Sequence, residues 1–195
     1  MKTYTKTTEV TANKLVIQYD SCPESPREWS NLGYFVTKNT KYSSPDGKDN
    51  AFYDAMVETQ DNATDGENHI ELIKKYLKEQ GENVLAIYPI TRYEHGNVSY
   101  RLGTQQGFDY SNCGFYIVTK QSADEIGTKK KDFEKVIADE LERYNSYANG
   151  EVYGFTLYDD NGEHENSCWG FYDIEHIREH LPEEWKDEDL SDYLI

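Results

Sequence analysis

Residues 131–172 run KDFEKVIADELERYNSYANGEVYGFTLYDDNGEHENSCWGFY, and this stretch decides the fold. Its first part, Lys131 to Tyr147, has apolar residues at helical spacing and predicts a long helix. Two aromatic, β-rich segments follow, Glu151 to Tyr158 and Ser167 to Tyr172, with Asp160-Asn161-Gly162-Glu163 between them. Asn-Gly in that position favours a hairpin, because both turn positions need positive φ. A helix followed by an antiparallel hairpin indicates an α+β fold. The apolar stripe of the helix consists of Phe133, Val136, Ile137, Leu141, Tyr144 and Tyr147.

Outside this stretch the chain adds further strands and a second main helix. The pattern from Glu67 to Gln80 predicts that helix, and Ile174 to His180 predicts a short one ended by Pro182. We expect an α+β fold with an antiparallel sheet of about five to seven strands, two main helices and a short C-terminal helix. The length of 195 residues suits one domain over 1–195. The additional predicted strands are Lys14–Tyr19, Tyr34–Thr37, Val84–Tyr88, Val98–Leu102 and Phe115–Val118.

The negative charge is concentrated near the C-terminus. The chain has 37 acidic and 20 basic side chains, a formal net charge of −17. Residues 151–195 alone contain fourteen acidic and two basic side chains, a net of −12. Such a charge opposes direct binding to nucleic acids or anionic membranes, since both are polyanions. The acidic segment at about 174–195 contains apolar residues, so it either docks on the domain or stays mobile.

Composition also bears on the compartment and on cofactors. No run of 18 apolar residues occurs, and no apolar signal segment follows Met1-Lys2-Thr3-Tyr4, so we expect a soluble, cytoplasmic protein. Three cysteines, Cys22, Cys113 and Cys168, are an odd number without CxxC spacing and favour reduced thiols. Cys113 and Cys168 are expected as small core residues. We expect no cofactor and no catalytic residue, because no phosphate loop, nucleophile elbow or paired-carboxylate motif is present.

Two motifs carry a resemblance to a known family. Residues 24–33, ESPREWSNLG, and residues 166–172, NSCWGFY, resemble motifs of a family of uncharacterised phage and mobile-element proteins of bacteria that has no established activity. The resemblance runs from about residue 14 to 184 and includes residues 114–118, GFYIV. Ser30 stands where relatives usually have Asp. The resemblance implies a phage accessory protein acting in the bacterial cytoplasm.

Charge and context together suggest an anti-defence function. A folded protein with carboxylates on one face can occupy the Lys/Arg channel of a nuclease as a DNA mimic. The expected partner is a host defence nuclease, a Cas9-type effector or a restriction enzyme, or another basic nucleic-acid-binding protein, which makes the chain an anti-CRISPR or anti-restriction inhibitor. The oligomeric state is left open. The candidate partner-binding acids are Asp159, Asp160, Glu163, Glu165, Glu175, Glu179, Glu183, Glu184, Asp187, Glu188, Asp189 and Asp192, with Trp185 and Tyr193 as apolar anchors.

Two other interpretations stay open. The chain could be a non-mimic phage accessory module that binds through residues 25–33 and is acidic only for solubility. It could also be a zinc hydrolase, since His176, Glu179 and His180 fit an H-x-x-E-H pattern, although Pro182 follows closely. Within residues 25–33 we favour a structural role, with Trp29 anchoring the turn and Arg27 paired to a carboxylate.

Overall fold

The computed structural model describes residues 14–39 and 41–195. Residues 1–13, for which no signal segment is predicted, lie outside the described residues. The chain forms two compact units. The terminal unit combines residues 14–24 with residues 150–195, and the central unit spans residues 25–149. The single domain expected over 1–195 stays a prediction.

The central unit is a four-stranded antiparallel sheet with helices on both faces. Its strands are β2 (Tyr34–Thr37), β3 (Val84–His95), β4 (Asn97–Leu102) and β5 (Tyr110–Thr119), in the order β2-β5-β3-β4. Its helices are α1 (Ala51–Gln60), α2 (Gly66–Glu79), α3 (Lys120–Ile126) and α4 (Phe133–Ala148).

Alternation along β5 divides the core of the central unit into two layers. Phe115 and Ile117 pack against α1 and α2. Tyr116 and Val118 belong to the opposite layer, which contains the apolar face of α4. Successive side chains of a strand point to opposite faces, so a strand that is apolar at every position serves both layers. The sheet is therefore buried on both sides.

The terminal unit is a three-stranded antiparallel sheet covered by short helices. Its strands are β1 (Lys14–Tyr19), β6 (Tyr153–Tyr158) and β7 (His164–Phe171), in the order β1-β6-β7. Three 3-10 helices, Ile174–His180, Glu183–Trp185 and Leu190–Tyr193, supply the rest of its core. That core consists of Leu15, Ile17, Phe155, Leu157, Phe171, Ile177, Leu181, Trp185 and Leu190.

The predicted fold class is confirmed, since seven antiparallel strands and α-helices make up the described chain. The strands divide between two sheets. β1 and β2 have the predicted bounds, and the predicted hairpin is β6–β7, with Tyr158 opposite His164 and a left-handed Gly162 (φ 80°) in the turn. Two helices, α1 and α3, were not predicted. Within the described residues, no helix is both long and apolar enough to cross a bilayer.

Candidate partner-binding surface

The acidic C-terminal segment packs on the sheet of the terminal unit. Ile177, Leu181 and Leu190 are buried in its core. The end of the chain is held by main-chain contacts, because Leu194 forms a parallel bridge with Ile17 and the Ile195 amide donates to the Ile17 carbonyl at 3.0 Å. The carboxylates between these buried residues therefore project from a folded framework.

The two predicted aromatic anchors belong to that framework. Trp185 is only 5% exposed and contacts Tyr193 edge to face at a centroid distance of 5.3 Å. An anchor must be exposed to contact a partner. The prediction that Trp185 is such an anchor is therefore wrong. Tyr193 is half-buried, and its hydroxyl donates to Glu188 Oε2 at 3.2 Å. Burial, and then the charge of Glu188, raises the pKa of Tyr193.

Two of the predicted acids stabilise local turns. Asp159 Oδ1 accepts hydrogen bonds from the amides of Asn161 at 2.9 Å and Glu163 at 2.8 Å, which closes the β6–β7 turn. Asp189 Oδ1 caps the last 3-10 helix by accepting from the Ser191 amide at 3.1 Å and hydroxyl at 2.7 Å. Hydrogen bonds from Glu163 lower the pKa of Asp159, and those from Ser191 lower the pKa of Asp189.

Both cations of residues 151–195 are engaged by neighbouring groups. Arg178 donates to Glu175 Oε2 at 3.0 and 2.8 Å, and to the Glu188 carbonyl at 2.8 Å. Lys186 pairs with Glu183 at 3.0 Å. Glu175, Glu183 and Lys186 are exposed. These ion pairs therefore orient the side chains and contribute little to the free energy of unfolding.

Six exposed carboxylates carry the remaining charge of the surface. Across residues 14–39 and 41–195, no hydrogen bond or ion pair engages these six side chains. Glu184 is also exposed, but it is not counted with them because it interacts with another group. Carboxylates without cations beside them can pair with the cations of a partner without first breaking an ion pair within the chain. These six, called the open acids below, are Asp160, Glu163, Glu165, Glu179, Asp187 and Asp192.

The helix geometry opposes the zinc interpretation. His176, Glu179 and His180 lie on a 3-10 helix, which has three residues per turn, so positions four apart do not share a face. The His180 ring packs on Phe171 at a centroid distance of 5.1 Å. No group of three His, Cys, Asp or Glu side chains among the described residues is placed to hold a metal ion.

Arg27 is the centre of a buried polar network in the central unit. Its side chain is 5% exposed, and all five of its donors are used. It donates to both oxygens of Asp46 at 2.7 and 2.8 Å, to Asn31 Oδ1 at 2.9 Å, to Glu140 Oε2 at 3.1 Å and to the Gly33 carbonyl at 2.7 Å. Burial alone lowers the pKa of Arg27, but hydrogen bonds and charge from Asp46 outweigh it and raise the pKa.

Glu140 extends the same network across the central unit. Its Oε1 accepts from the Leu32 amide at 2.8 Å, and its Oε2 accepts from the Tyr116 hydroxyl. The structural role predicted for Arg27 is confirmed, and its pairing with two carboxylates exceeds the prediction. Trp29 is 39% exposed and therefore lies at the surface, which corrects the expectation that it anchors the turn on the core.

The cysteines differ in accessibility. Cys113 is buried, as predicted, and burial raises the pKa of its thiol to about 11, which disfavours the reactive thiolate. Cys168 and Cys22 are exposed, so the prediction of a core position for Cys168 is wrong. The reason is that Cys168 lies on an edge strand whose residues 164–170 are exposed on both faces.

A cleft of about 940 Å³ lies in the central unit beside α1, α2 and β5. Two of its polar groups are partnered within the chain: Lys38 Nζ donates to Gln60 Oε1 at 2.6 Å, and His69 Nε2 lies 3.1 Å from the Met56 carbonyl. Three buried polar side-chain atoms in the described residues lack a partner, and none of them lines this cleft.

No family model, curated protein or solved structure matches this chain. The resemblance carried by residues 24–33 and 166–172 thus stays a prediction. The molecule belongs to the α+β class and carries an acidic surface on a folded framework.

Proposed function

We propose that this chain is a binding protein that occupies the basic, nucleic-acid-binding surface of another protein as an acidic mimic of DNA. The single observation that carries the proposal is the set of open acids on a packed framework. A mobile acidic tail would lose entropy on binding, whereas a folded surface has already fixed its backbone.

The charge of the surface fits such a partner. Both cations of residues 151–195 are held by neighbouring acids or carbonyls, so neither competes for the open acids. A channel that binds DNA presents Lys and Arg spaced for phosphates. Opposed charge steers the encounter and raises the association rate, and the effect falls as salt is added.

The partner class that we propose is a host defence nuclease in the bacterial cytoplasm, a Cas9-type effector or a restriction enzyme. In such an enzyme, occupation of the DNA channel blocks substrate without any chemistry by the inhibitor.

The test is competition with DNA for purified nucleases of these two kinds. The triple variant Glu179→Gln/Asp187→Asn/Asp192→Asn removes three of the open acids. The matched control Glu58→Gln/Asp139→Asn/Glu142→Gln removes three exposed acids from the central unit. Each exposed ion pair contributes up to about 1 kcal/mol, so the first variant should bind up to roughly 100-fold more weakly.

The control variant should compete with DNA as well as the unchanged protein does. Equal competition by both triple variants, or affinity that does not change with salt, would contradict the mimicry. Retained partner binding by both variants would instead favour a non-mimic accessory module.

A further inference from the structure

The two sheets have four edge strands, and three of these edges are covered at least in part by hydrogen bonds from other segments of the chain. An edge strand leaves a row of unpaired amides and carbonyls, which proteins usually cover or blunt. The edges differ in how they are treated, and the difference points to one of them as an interaction surface.

Side-chain amides close the edge of β4. Asn149 accepts from the Val98 amide at 2.8 Å and donates to the Val98 carbonyl at 2.8 Å. Asn145, one helical turn earlier on α4, does the same for Tyr100 at 2.8 and 3.2 Å. The two amides thus act as a substitute strand for the outer side of β4.

Other chain segments cover part of the edges of β2 and β1. On β2, the Phe35 amide donates to Asp46 Oδ2 at 2.6 Å, and the Thr37 amide donates to Ser44 Oγ at 3.2 Å. On β1, the Ile17 carbonyl accepts from the Ile195 amide at 3.0 Å. Segments of the protein itself therefore cover the edge of β2 at Phe35 and Thr37 and the edge of β1 at Ile17.

The outer edge of β7 is open. All seven residues from His164 to Gly170 are exposed, and no main-chain hydrogen bond joins them to any described segment other than β6. Irregularities in pairing lie near both ends of the strand, between the pairs of Tyr153 and Gly154 and between those of Leu157 and Tyr158. The regular part, residues 166–169, presents a short edge without a bulge.

The side chains around this edge select the chemistry of an occupant. Trp169 is 46% exposed and lies over the Gly154 backbone, so one face of its indole is supported. Glu163 and Glu165, two of the open acids, lie at the other end of the strand. An indole face and carboxylates both attract guanidinium and ammonium groups. A second copy of the chain would instead bring another −12 from residues 151–195.

We propose that the β7 edge binds an extended basic segment of a partner as an additional strand, paired to residues 166–169. Main-chain hydrogen bonds would supply affinity, and arginine or lysine side chains directed at Trp169 and Glu165 would supply selectivity. The inference rests on the proposed function, because it assumes a basic partner, and it adds where and in what conformation that partner is held.

The probe is a synthetic peptide of about ten residues that alternates arginine with threonine and valine, the composition of a basic strand. The control is the same peptide with consecutive amides N-methylated, which keeps its charge but removes donors from both edges. Binding is measured on the full chain, with hydrogen exchange of the amides of residues 166–169 and fluorescence of Trp169 as readouts.

We expect the unmethylated peptide to slow exchange in residues 166–169 and to bind about tenfold or more tightly than its methylated form, which is the effect of losing two or more hydrogen bonds. Glu165→Gln should weaken its binding, whereas Glu142→Gln in the central unit should not. Equal binding of both peptides, no binding of either, or protection elsewhere than β7 overturns the strand pairing.

The two proposals fail separately. Equal, salt-dependent binding of both peptides would overturn the strand pairing and leave the acidic mimicry standing. Slowed exchange at β7 together with unchanged nuclease competition by the open-acid variant would support the strand pairing and overturn the mimicry.

Discussion

Replacing Arg27 with methionine tests whether the buried network stabilises the central unit. The substitution Arg27→Met keeps an unbranched side chain of similar length but removes five hydrogen bonds, which the structure places at 2.7 to 3.1 Å. It also leaves the Asp46 and Glu140 carboxylates, whose side chains are 13% and 6% exposed, without their counter-ion. Unpaired buried charges, more than the lost contacts, determine the cost.

The expected loss is large relative to total stability. Breaking a buried ion pair by removing one partner costs about 3–5 kcal/mol, and a domain is stable by only about 5–15 kcal/mol. Because Arg27 and Glu140 are nearly inaccessible to water, screening should reduce the cost little. Arg27→Lys keeps the charge with three donors instead of five and should lose less, roughly 2 kcal/mol.

Urea unfolding followed by circular dichroism measures these differences. The matched control is Arg143→Met on α4, an exposed arginine whose replacement should stay within about 0.5 kcal/mol. Adding Asp46→Asn and Glu140→Gln to Arg27→Met should recover part of the loss, because neutral amides cost less to bury. A cost below about 1 kcal/mol for Arg27→Met, at an unchanged m-value, would refute the reasoning.

Three further outcomes follow from the structure. Burial raises the pKa of Tyr100 from 10.0 to about 12. Its contribution to the free energy of unfolding is therefore complete below pH 10.0 and decreases as the pH rises towards 12. A midpoint of urea unfolding that stays constant over that interval would contradict this. A thiol reagent should modify Cys22 and Cys168 in the native protein but Cys113 only after unfolding; mass spectrometry of the labelled chain locates each adduct, and native labelling of Cys113 would count against its burial. Gly114→Ala would place a Cβ 2.1 Å from the Val36 carbonyl oxygen, so the melting temperature should drop by several degrees, as expected for a loss of about 1–3 kcal/mol; an unchanged melting curve would exclude that clash.

Local patterns were sufficient for the strands at the start of the chain. β1 and β2 are compact β-rich segments bounded by breakers such as Gly33, and their bounds were predicted correctly. Helix α1 was missed because its buried face, Phe52, Ala55 and Met56, ends in the polar Thr59. Thr59 is tolerated there because its hydroxyl donates to the Ala55 carbonyl at 2.6 Å, a local bond that hydropathy does not register.

The buried network could be predicted only in part. Arg27 pairs with residues 19 and 113 positions away, and sequence spacing carries no information on such contacts. One signal was available, since Glu140 stands three residues after Ile137 and seven after Phe133, on the apolar face of α4. An acid at such a position needs a buried partner, and the sequence contains a distinctive arginine at position 27.

Counting charges showed that the acidic residues are concentrated in residues 151–195, but a count does not assign a role to each of them. Counting treats Asp159, Glu179 and Asp189 alike, whereas two of them bind backbone amides and one is open. The orientation of Trp185 depends on the 3-10 helices, which the apolar pattern did not resolve. In the folded chain six of the twelve candidate acids interact with neighbouring groups, and the other six are the open acids.

The way β7 is protected has a consequence for salt dependence. Hydrogen bonds from side chains and backbone cover the other three edges at least in part, and salt hardly weakens such bonds. For β7, we expect like charge and the irregular pairing near its ends to be the features that oppose pairing with a second copy. Charge acts over a Debye length of about 10 Å at 0.1 M salt and only about 3 Å at 1 M. Added salt should therefore lower the affinity of the basic partner for β7. By the same screening, it should increase the association of the chain with itself. If added salt lowers the affinity of the peptide and increases self-association of the free protein, measured by sedimentation, charge is what prevents self-pairing at this edge. If the two quantities change in the same direction, the irregular pairing prevents it.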